Sequence, residues 1–146
     1  MKFARFLLLA FLALAKIQEG HATVRISDDR GGRIGQYLDK FNAIRASGES
    51  VIIDGKCLSA CTMVLGIVQE DKICVTSRAS LGFHNAYNLK AKARVTNAEA
   101  TELLFSNYSA PVKSWVTAHG GLGPRMVVLR GKELQNLYRP CGINAH

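Results

Sequence analysis

Apolar and polar residues change their spacing several times along this chain, and each spacing predicts a different element. Residues 23–27 alternate apolar and polar side chains, which predicts a strand with one buried face. Residues 33–47 carry apolar side chains at helical spacing, and Gly48 ends the predicted helix. Residues 51–53 are all apolar, as expected for a strand that is covered on both faces.

The later part of the pattern continues the alternation of strands and helices. Residues 59–68 predict a buried helix that Ser59 can cap. Thr96 and Glu99 form a capping box for another helix, which Pro111 should kink or split. The remaining predicted elements are strands over residues 73–76, 79–83 and 127–129 and a helix over residues 131–138. This order predicts an α/β domain with a largely parallel sheet.

The N-terminus has the pattern of a secretory signal peptide. Basic residues precede an apolar run over residues 6–15, and small residues suit a cut after Ala22. An uncleaved anchor and a buried first helix are the alternatives. Residues 1–22 are therefore predicted to be the signal peptide and residues 23–146 the mature domain, periplasmic or secreted from a bacterium. No later segment has the roughly 20 apolar residues that span a membrane, so no span is expected after cleavage.

The composition fits one folded domain, and the charge pattern does not favour nucleic acid as a partner. The chain has 146 residues, of which 48% are hydrophobic and 21% charged, and this excludes a disordered chain. Its formal net charge of +8 does not predict nucleic-acid binding, because neither interleaved aromatics nor a reading helix is visible. The basic cluster of Lys90, Lys92 and Arg94 predicts a solvated loop; the alternative is contact with an anionic surface or substrate.

The cysteines agree with export. There are four, Cys57, Cys61, Cys74 and Cys141, and an even number in an oxidising compartment predicts two disulfides. Three pairings are compatible with the sequence, and free buried thiols are an alternative. A metal held by Cys57 and Cys61 is disfavoured, because no second pair has matching spacing. No metal and no cofactor are expected.

Two polar residues lie at chemically useful positions in the predicted order of elements. Ser59 opens a helix after a strand and a turn, beside backbone N–H groups that have no partner within the helix. Such a position can supply a nucleophile and oxyanion donors for acyl transfer, or the serine is only a helix cap. His84 ends a strand, where a neutral imidazole could accept the hydroxyl proton; the alternative is a structural histidine that is bonded to backbone.

These residues together resemble a known family. Gly31-Gly32 after the first strand, Ser59 at its helix and His84 at a strand end are similar to the Clp protease subunit and, more broadly, to the Clp/crotonase superfamily. The resemblance covers residues 23–85 and, more weakly, residues 129–142. It implies a single ClpP/crotonase-like α/β domain with a mostly parallel sheet and flanking helices.

The resemblance also assigns roles to single residues. Ser59 matches the nucleophile and His84 the base, while the amides of Gly32 and Ala60 match the oxyanion donors. The stretches at residues 57–62 and 81–84 further resemble a group of small exported bacterial proteins whose role is not settled.

The third member of the family's triad has no direct match. The family places an aspartate shortly before its last helix, but residues 124–128 contain no acidic residue. Glu133 is the best substitute, with an exposed helix charge as the alternative. A Ser–His dyad can still work, more slowly, because the acid mainly fixes the imidazole tautomer.

Two functions from different classes follow from the sequence. The first is an exported serine hydrolase, peptidase-like, which acts on a peptide or protein substrate. The second is a non-catalytic envelope protein that keeps the fold for binding or assembly, and either protein could form a homo-oligomer. The hydrolase requires Ser59 Oγ and a His84 ring nitrogen at roughly 2.6–3.2 Å, or somewhat farther apart without substrate.

Overall fold

The computed structural model describes residues 22–88, 90, 92–93 and 95–142. The predicted signal peptide lies outside the described residues, apart from Ala22. The helices are α1 (Ile34–Ser47), α2 (Val64–Ile67), α3 (Ala98–Ser106), α4 (Ala110–Ala118) and α5 (Gly131–Leu137), with 3₁₀ turns at Ser59–Met63 and Glu70–Lys72. The strands are β1 (Thr23–Asp29), β2 (Ser50–Leu58), β3 (Ile73–Val75), β4 (Ser80–Phe83) and β5 (Val127–Arg130). The α/β class predicted from the sequence is confirmed.

The sheet is built around β2, which pairs with three parallel neighbours. β1 lies along one side of β2, while β3 and β4 pair with two successive stretches of its other side. β5 is antiparallel to β4, with Ser80 opposite Arg130 and Phe83 opposite Val127. The largely parallel sheet is thereby confirmed, with β5 as the antiparallel exception.

One part of the core lies where the apolar stripe of α1 meets the sheet and the 3₁₀ turn. Phe41 and Ile44 of α1 are buried, and Val51 and Ile53 of β2 are completely buried. Ile34, Tyr37 and Leu38, the other apolar residues of the α1 stripe, pack against this core without being fully buried. The helical spacing thus predicted the buried face of α1. The prediction that residues 51–53 are covered on both faces is only partly met, because Ile52, on the opposite face of β2 from Val51 and Ile53, is only partly buried.

Two local predictions require correction. The helix after β2 begins as a 3₁₀ turn, and its N-cap position is occupied by Leu58 rather than Ser59. The capping box of Thr96 does not form: Asn97 caps α3 through its side chain, which accepts from the Ala100 N–H at 3.0 Å. Thr96 is engaged elsewhere, because its hydroxyl accepts a hydrogen bond from the side chain of Asn85. The predicted helix is split into α3 and α4, and Pro111 lies in the first turn of α4.

Both disulfides predicted by the cysteine count are present. Cys57 pairs with Cys61 and Cys74 with Cys141, at Cα–Cα distances of 5.3 and 4.9 Å. The first bridge spans the turn that contains Ser59, and the second joins β3 to the C-terminal segment. Within the described residues, no group of His, Cys, Asp and Glu is arranged to hold a metal ion. None of the described helices has the length and apolar character needed to cross a bilayer.

Candidate active site

Three loops converge at one edge of the sheet. Gly31 and Gly32 follow β1, Ser59 follows β2 and His84 follows β4. Because these strands are parallel, their carboxyl ends meet at the same edge, as in other open α/β sheets. All four residues line one cavity of about 580 Å³. The structure thus brings together the serine, the histidine and the glycine pair that the sequence singled out.

Ser59 has an unusual backbone conformation. Its φ of 57° lies in the left-handed region, and no other non-glycine residue among those described has a positive φ. For a residue with a side chain this conformation costs about 1–2 kcal/mol, so the surrounding contacts must hold it. The Cys57–Cys61 disulfide joins the residues two positions before and two positions after Ser59. Strain of this kind concentrates at functional sites.

Hydrogen bonds from the hydroxyl groups of Thr62 and Tyr108 support the turn that contains Ser59. The Thr62 hydroxyl donates to the Ser59 carbonyl oxygen at 2.6 Å, so its single proton is already used. The Tyr108 hydroxyl, 2.7 Å from Thr62 Oγ1, is therefore the donor in that bond. Burial raises the pKa of Tyr108 above its usual value, which keeps that donor protonated. Thr62 and Tyr108 are 46 residues apart, so no local sequence pattern indicates these linked hydroxyl groups.

Gly31 packs directly against the serine turn. Its φ is 80°, and a Cβ at this position would stand 2.5 Å from the Leu58 carbonyl oxygen and 2.7 Å from Ser59 Cβ. Only glycine fits such an approach. Asp29 holds the loop from the other side, because its Oδ1 accepts the Gly31 N–H at 2.9 Å. An aspartate two residues before the amide that it binds is a recognisable turn signal.

Further contacts fix Asp29 itself. Its carboxylate also accepts a hydrogen bond from the Tyr37 hydroxyl and contacts Lys40 Nζ at 3.3 Å. Burial raises the pKa of Asp29, but the hydrogen bonds from Tyr37, Gly31 and Lys40 outweigh it, and the net effect is a lowered pKa. Asp29 is therefore charged at neutral pH. It positions the glycine loop without lining the cavity.

The two predicted oxyanion donors are placed differently: Gly32 lines the cavity, whereas Ala60 follows Ser59 in the chain but is not among the lining residues. Gly32 lines the same cavity as Ser59, and Asp29 engages the N–H of Gly31 rather than that of Gly32. Ala60 N lies 3.0 Å from the position that a Gly31 Cβ would take, so this amide is next to the glycine loop. Ala60 also belongs to the first turn of a helix, where N–H groups have no partner within the helix.

His84 is oriented by a backbone carbonyl. Its Nδ1 lies 2.6 Å from the Asn85 carbonyl oxygen. Since a carbonyl can only accept, Nδ1 carries the proton in this bond, and Nε2 of the neutral ring is left as an acceptor. The ring also stacks on Tyr87, with the ring centres 5.7 Å apart. Buried Asn85 is itself held by Gly123 and Thr96, through bonds of 2.9 and 2.7 Å.

The required hydrogen bond between Ser59 and His84 is not formed in this structure. The hydrogen bond seen for the His84 ring goes from Nδ1 to the Asn85 carbonyl. Ser59 and His84 nevertheless face the same cavity. Catalytic hydrogen bonds are often long before substrate binds. The geometric observation that links Ser59 and His84 is therefore that both line the same cavity.

Glu133 lies away from this cavity. β5 is antiparallel to β4, so Arg130 pairs with Ser80 at the start of β4, whereas His84 follows the end of that strand. α5 continues from Arg130 and places Glu133 on the surface, 3.9 Å from His119 Nε2 and 59% exposed. None of the described residues that line the cavity carries a carboxylate. The structure therefore does not bring the predicted third member to His84.

Comparison with known proteins identifies the fold. No protein-family profile and no curated protein matches the chain. A peptidase from Plasmodium falciparum is similar in structure, with 11% identity and a TM-score of 0.50 over 82% of this chain and 76% of that one. A protein described as an enzyme has 12% identity and a TM-score of 0.53, covering 80% and 74%. The ClpP1 N165D mutant from Listeria monocytogenes has 12% identity and a TM-score of 0.48, covering 79% and 68%.

At this level of identity the likeness concerns the fold alone. The chain is therefore an α/β domain that shares the fold of the Plasmodium peptidase.

Proposed function

We propose that this protein is an exported serine hydrolase of the peptidase-like kind, with Ser59 as nucleophile and His84 as base. The observation that carries the proposal is the single cavity shared by Ser59, His84 and Gly32 at the carboxyl edge of the sheet. The left-handed backbone of Ser59 and the peptidase fold support it further. No cofactor is needed for this chemistry.

The proposed reaction is acyl transfer to the serine. His84 Nε2 accepts the proton of the Ser59 hydroxyl as Oγ attacks the carbonyl carbon of the substrate. The amides of Gly32 and Ala60 donate to the oxyanion that develops. The imidazolium then returns the proton to the leaving amine, and water hydrolyses the acyl-serine with His84 again as base.

The Asn85 carbonyl would perform part of the role that an aspartate has in a triad. It holds the imidazole with the proton on Nδ1, which leaves Nε2 as the acceptor for the Ser59 proton. A neutral carbonyl stabilises the imidazolium less than a carboxylate does. We therefore expect a Ser–His dyad that is slower than a full triad, and we assign no catalytic role to Glu133.

Labelling with a fluorophosphonate tests the proposal. The wild-type protein should be labelled at Ser59, Ser59→Ala should not be labelled, and His84→Ala should be labelled much more slowly. His119→Ala is the matched control, because His119 also bonds a backbone carbonyl through Nδ1 but does not line the cavity. Glu133→Gln should be labelled like the wild type. Labelling that persists in Ser59→Ala would contradict the assignment.

Two observations favour the second function, a non-catalytic binding protein. The cavity lacks a carboxylate among its described lining residues, and Ser59 and His84 are not hydrogen-bonded. A non-catalytic binding protein would show the same features. If folded wild-type protein resists several classes of serine probe, the binding protein becomes the better description.

Export rests on the disulfides and on the N-terminal pattern. Two disulfides in a chain of this size fit an oxidising compartment. We propose that residues 1–22 are removed and that residues 23–146 form the mature domain in the periplasm or outside the cell, where a homo-oligomer is compatible with the fold. Mass spectrometry of protein from a periplasmic extract should find Thr23 as the first residue. An intact Met1 in that extract would contradict cleavage.

A further inference from the structure

The cavity that contains Ser59 and His84 is lined by positive charge. Arg30, Arg33 and Lys90 all line it, and none of the described lining residues is acidic. The three cations come from two separate segments, the loop after β1 and the loop after β4. A concave surface with charge of one sign attracts ligands of the opposite sign.

The helix that follows the glycine loop adds to this positive potential. α1 has 14 residues, and its first turn lines the cavity through Ile34. No acidic residue lies in that first turn, so nothing there offsets the positive end of the helix dipole. This contribution is secondary to that of the side chains, because it is confined to the first turn of the helix.

The side chains have room to reach a ligand. Arg33 is the N-cap residue of α1 and is exposed, as is Lys90. Arg30 contacts Asp28 at 4.0 Å, but both side chains are more than half exposed, so this pair is weak. Lys90 belongs to the basic cluster of Lys90, Lys92 and Arg94, whose sequence is compatible with a solvated loop or with contact with an anion; Arg94 lies outside the described residues.

The cavity also offers apolar surface. Ile34, Ala86 and Leu104 contribute side chains to its lining. A ligand that suits both features carries an apolar side chain together with a carboxylate. A peptide with acidic side chains near an apolar residue has this chemistry.

We propose that the cavity selects acidic peptides and that Arg33 and Lys90 determine this specificity. The proposal rests on the proposed hydrolase function for its catalytic form, but it also makes a statement about binding. A carboxylate of the bound peptide pairs with Arg33 or Lys90 while the peptide carbonyl lies at Ser59. Substrates without acidic side chains lack these contacts, and basic peptides are repelled.

Two matched peptides test the specificity. Acetyl-Ala-Glu-Glu-Leu and acetyl-Ala-Gln-Gln-Leu, each linked to a coumarin amide, differ in charge but hardly in shape. The acidic peptide should have a kcat/KM roughly three- to tenfold higher, the range expected for one or two partly exposed ion pairs. In Arg33→Gln/Lys90→Gln the ratio should fall towards one. Lys132→Gln is the control, because Lys132 is an exposed cation on α5 that does not line the cavity.

The salt dependence and a binding assay distinguish the selection of acidic peptides from the hydrolase function. Raising the salt concentration from about 0.05 to about 0.5 M should shrink the ratio, because exposed charges are screened. Fluorescence anisotropy of the same two peptides, carrying a fluorophore, on Ser59→Ala measures binding without hydrolysis. Tighter binding of the acidic peptide, lost with Arg33→Gln/Lys90→Gln, supports acidic selection even if the wild type cleaves neither peptide. Equal binding and equal cleavage of the two peptides would overturn the specificity while leaving the hydrolase intact.

Discussion

Gly31 and Ser59 are packed so closely that a Cβ on Gly31 would lie 2.7 Å from Ser59 Cβ. A side chain on Gly31 has no room there, and both residues have a positive φ. The loop after β1 and the turn after β2 therefore behave as one unit. Asp29 and the Cys57–Cys61 disulfide hold that unit from its two sides.

This packing predicts the effect of Gly31→Ala. The added methyl group must displace the Leu58 carbonyl or Ser59, and alanine is also strained at a φ of 80°. We expect a loss of at least about 2 kcal/mol in the free energy of unfolding, measured by urea denaturation, and loss of fluorophosphonate labelling. Gly35→Ala is the control, because a Cβ there meets nothing within 4 Å and lies in α1. It should raise stability by up to about 1 kcal/mol; equal effects of the two variants would contradict the packing.

The left-handed conformation of Ser59 predicts a difference between two inactive variants. Both Ser59→Ala and Ser59→Gly remove the hydroxyl and should abolish labelling. Glycine adopts a φ of 57° without strain whereas alanine does not, so Ser59→Gly should be the more stable of the two by about 1 kcal/mol. Chemical denaturation of both proteins measures this difference. A more stable Ser59→Ala would show that the serine turn relaxes out of the left-handed region.

The two disulfides should contribute unequally to stability. In the chain-entropy description, the contribution grows with the length of the closed loop. The sequence separation is 67 residues for Cys74–Cys141 and 4 for Cys57–Cys61. Replacing both cysteines of the long-range pair by alanine should therefore lower the free energy of unfolding by about 4 kcal/mol. Replacing both cysteines of the short-range pair should lower it by about 2 kcal/mol.

Labelling should show the opposite order for the two disulfides. The Cys57–Cys61 bridge spans Ser59, so its loss is expected to slow fluorophosphonate labelling more than loss of Cys74–Cys141 does. Rates are compared under conditions where circular dichroism shows each variant to be folded. Identical rates in the two variants would mean that the short bridge does not hold the serine turn.

The hydrogen bonds of Asp54 predict that the stability of the protein falls at acidic pH. It is 7% exposed, and its carboxylate accepts hydrogen bonds from Arg78, Thr76 and Arg25 at 2.6–2.8 Å. The bonds from Arg78 and then Thr76 lower its pKa from 3.8 to about 2. A carboxylate whose pKa is lower in the folded state contributes stability that is fully present above its unfolded pKa and is lost as the pH falls through its folded pKa.

The difference in melting temperature between wild type and Asp54→Asn should therefore be large at about pH 7 and shrink between about pH 4 and pH 2. Asp39→Asn is the control, since Asp39 is an exposed residue of α1, and such substitutions usually change stability by less than about 0.5 kcal/mol. A gap between wild type and Asp54→Asn that stays constant down to about pH 2 would contradict the lowered pKa of Asp54.

Most elements and three of the loop residues at the site could be predicted from local patterns. The apolar spacing of residues 33–47 and the apolar run of residues 51–53 were sufficient for α1 and the core of β2. Gly32, Ser59 and His84 each follow a predicted strand, so a parallel sheet alone requires that they meet at one edge. Their catalytic roles remain predictions.

The sequence by itself determined the α/β class and a largely parallel sheet, and it placed Ser59 and His84 each after a predicted strand, because these features depend on spacings within a few residues. Only the tertiary structure decided that Cys74 pairs with Cys141, that Glu133 lies beside His119, and that the Asn85 carbonyl orients His84. The cysteine pair and Glu133 depend on how distant segments pack against one another. The His84 bond depends on the backbone path after β4, and a backbone carbonyl is common to every residue and leaves no mark in the sequence.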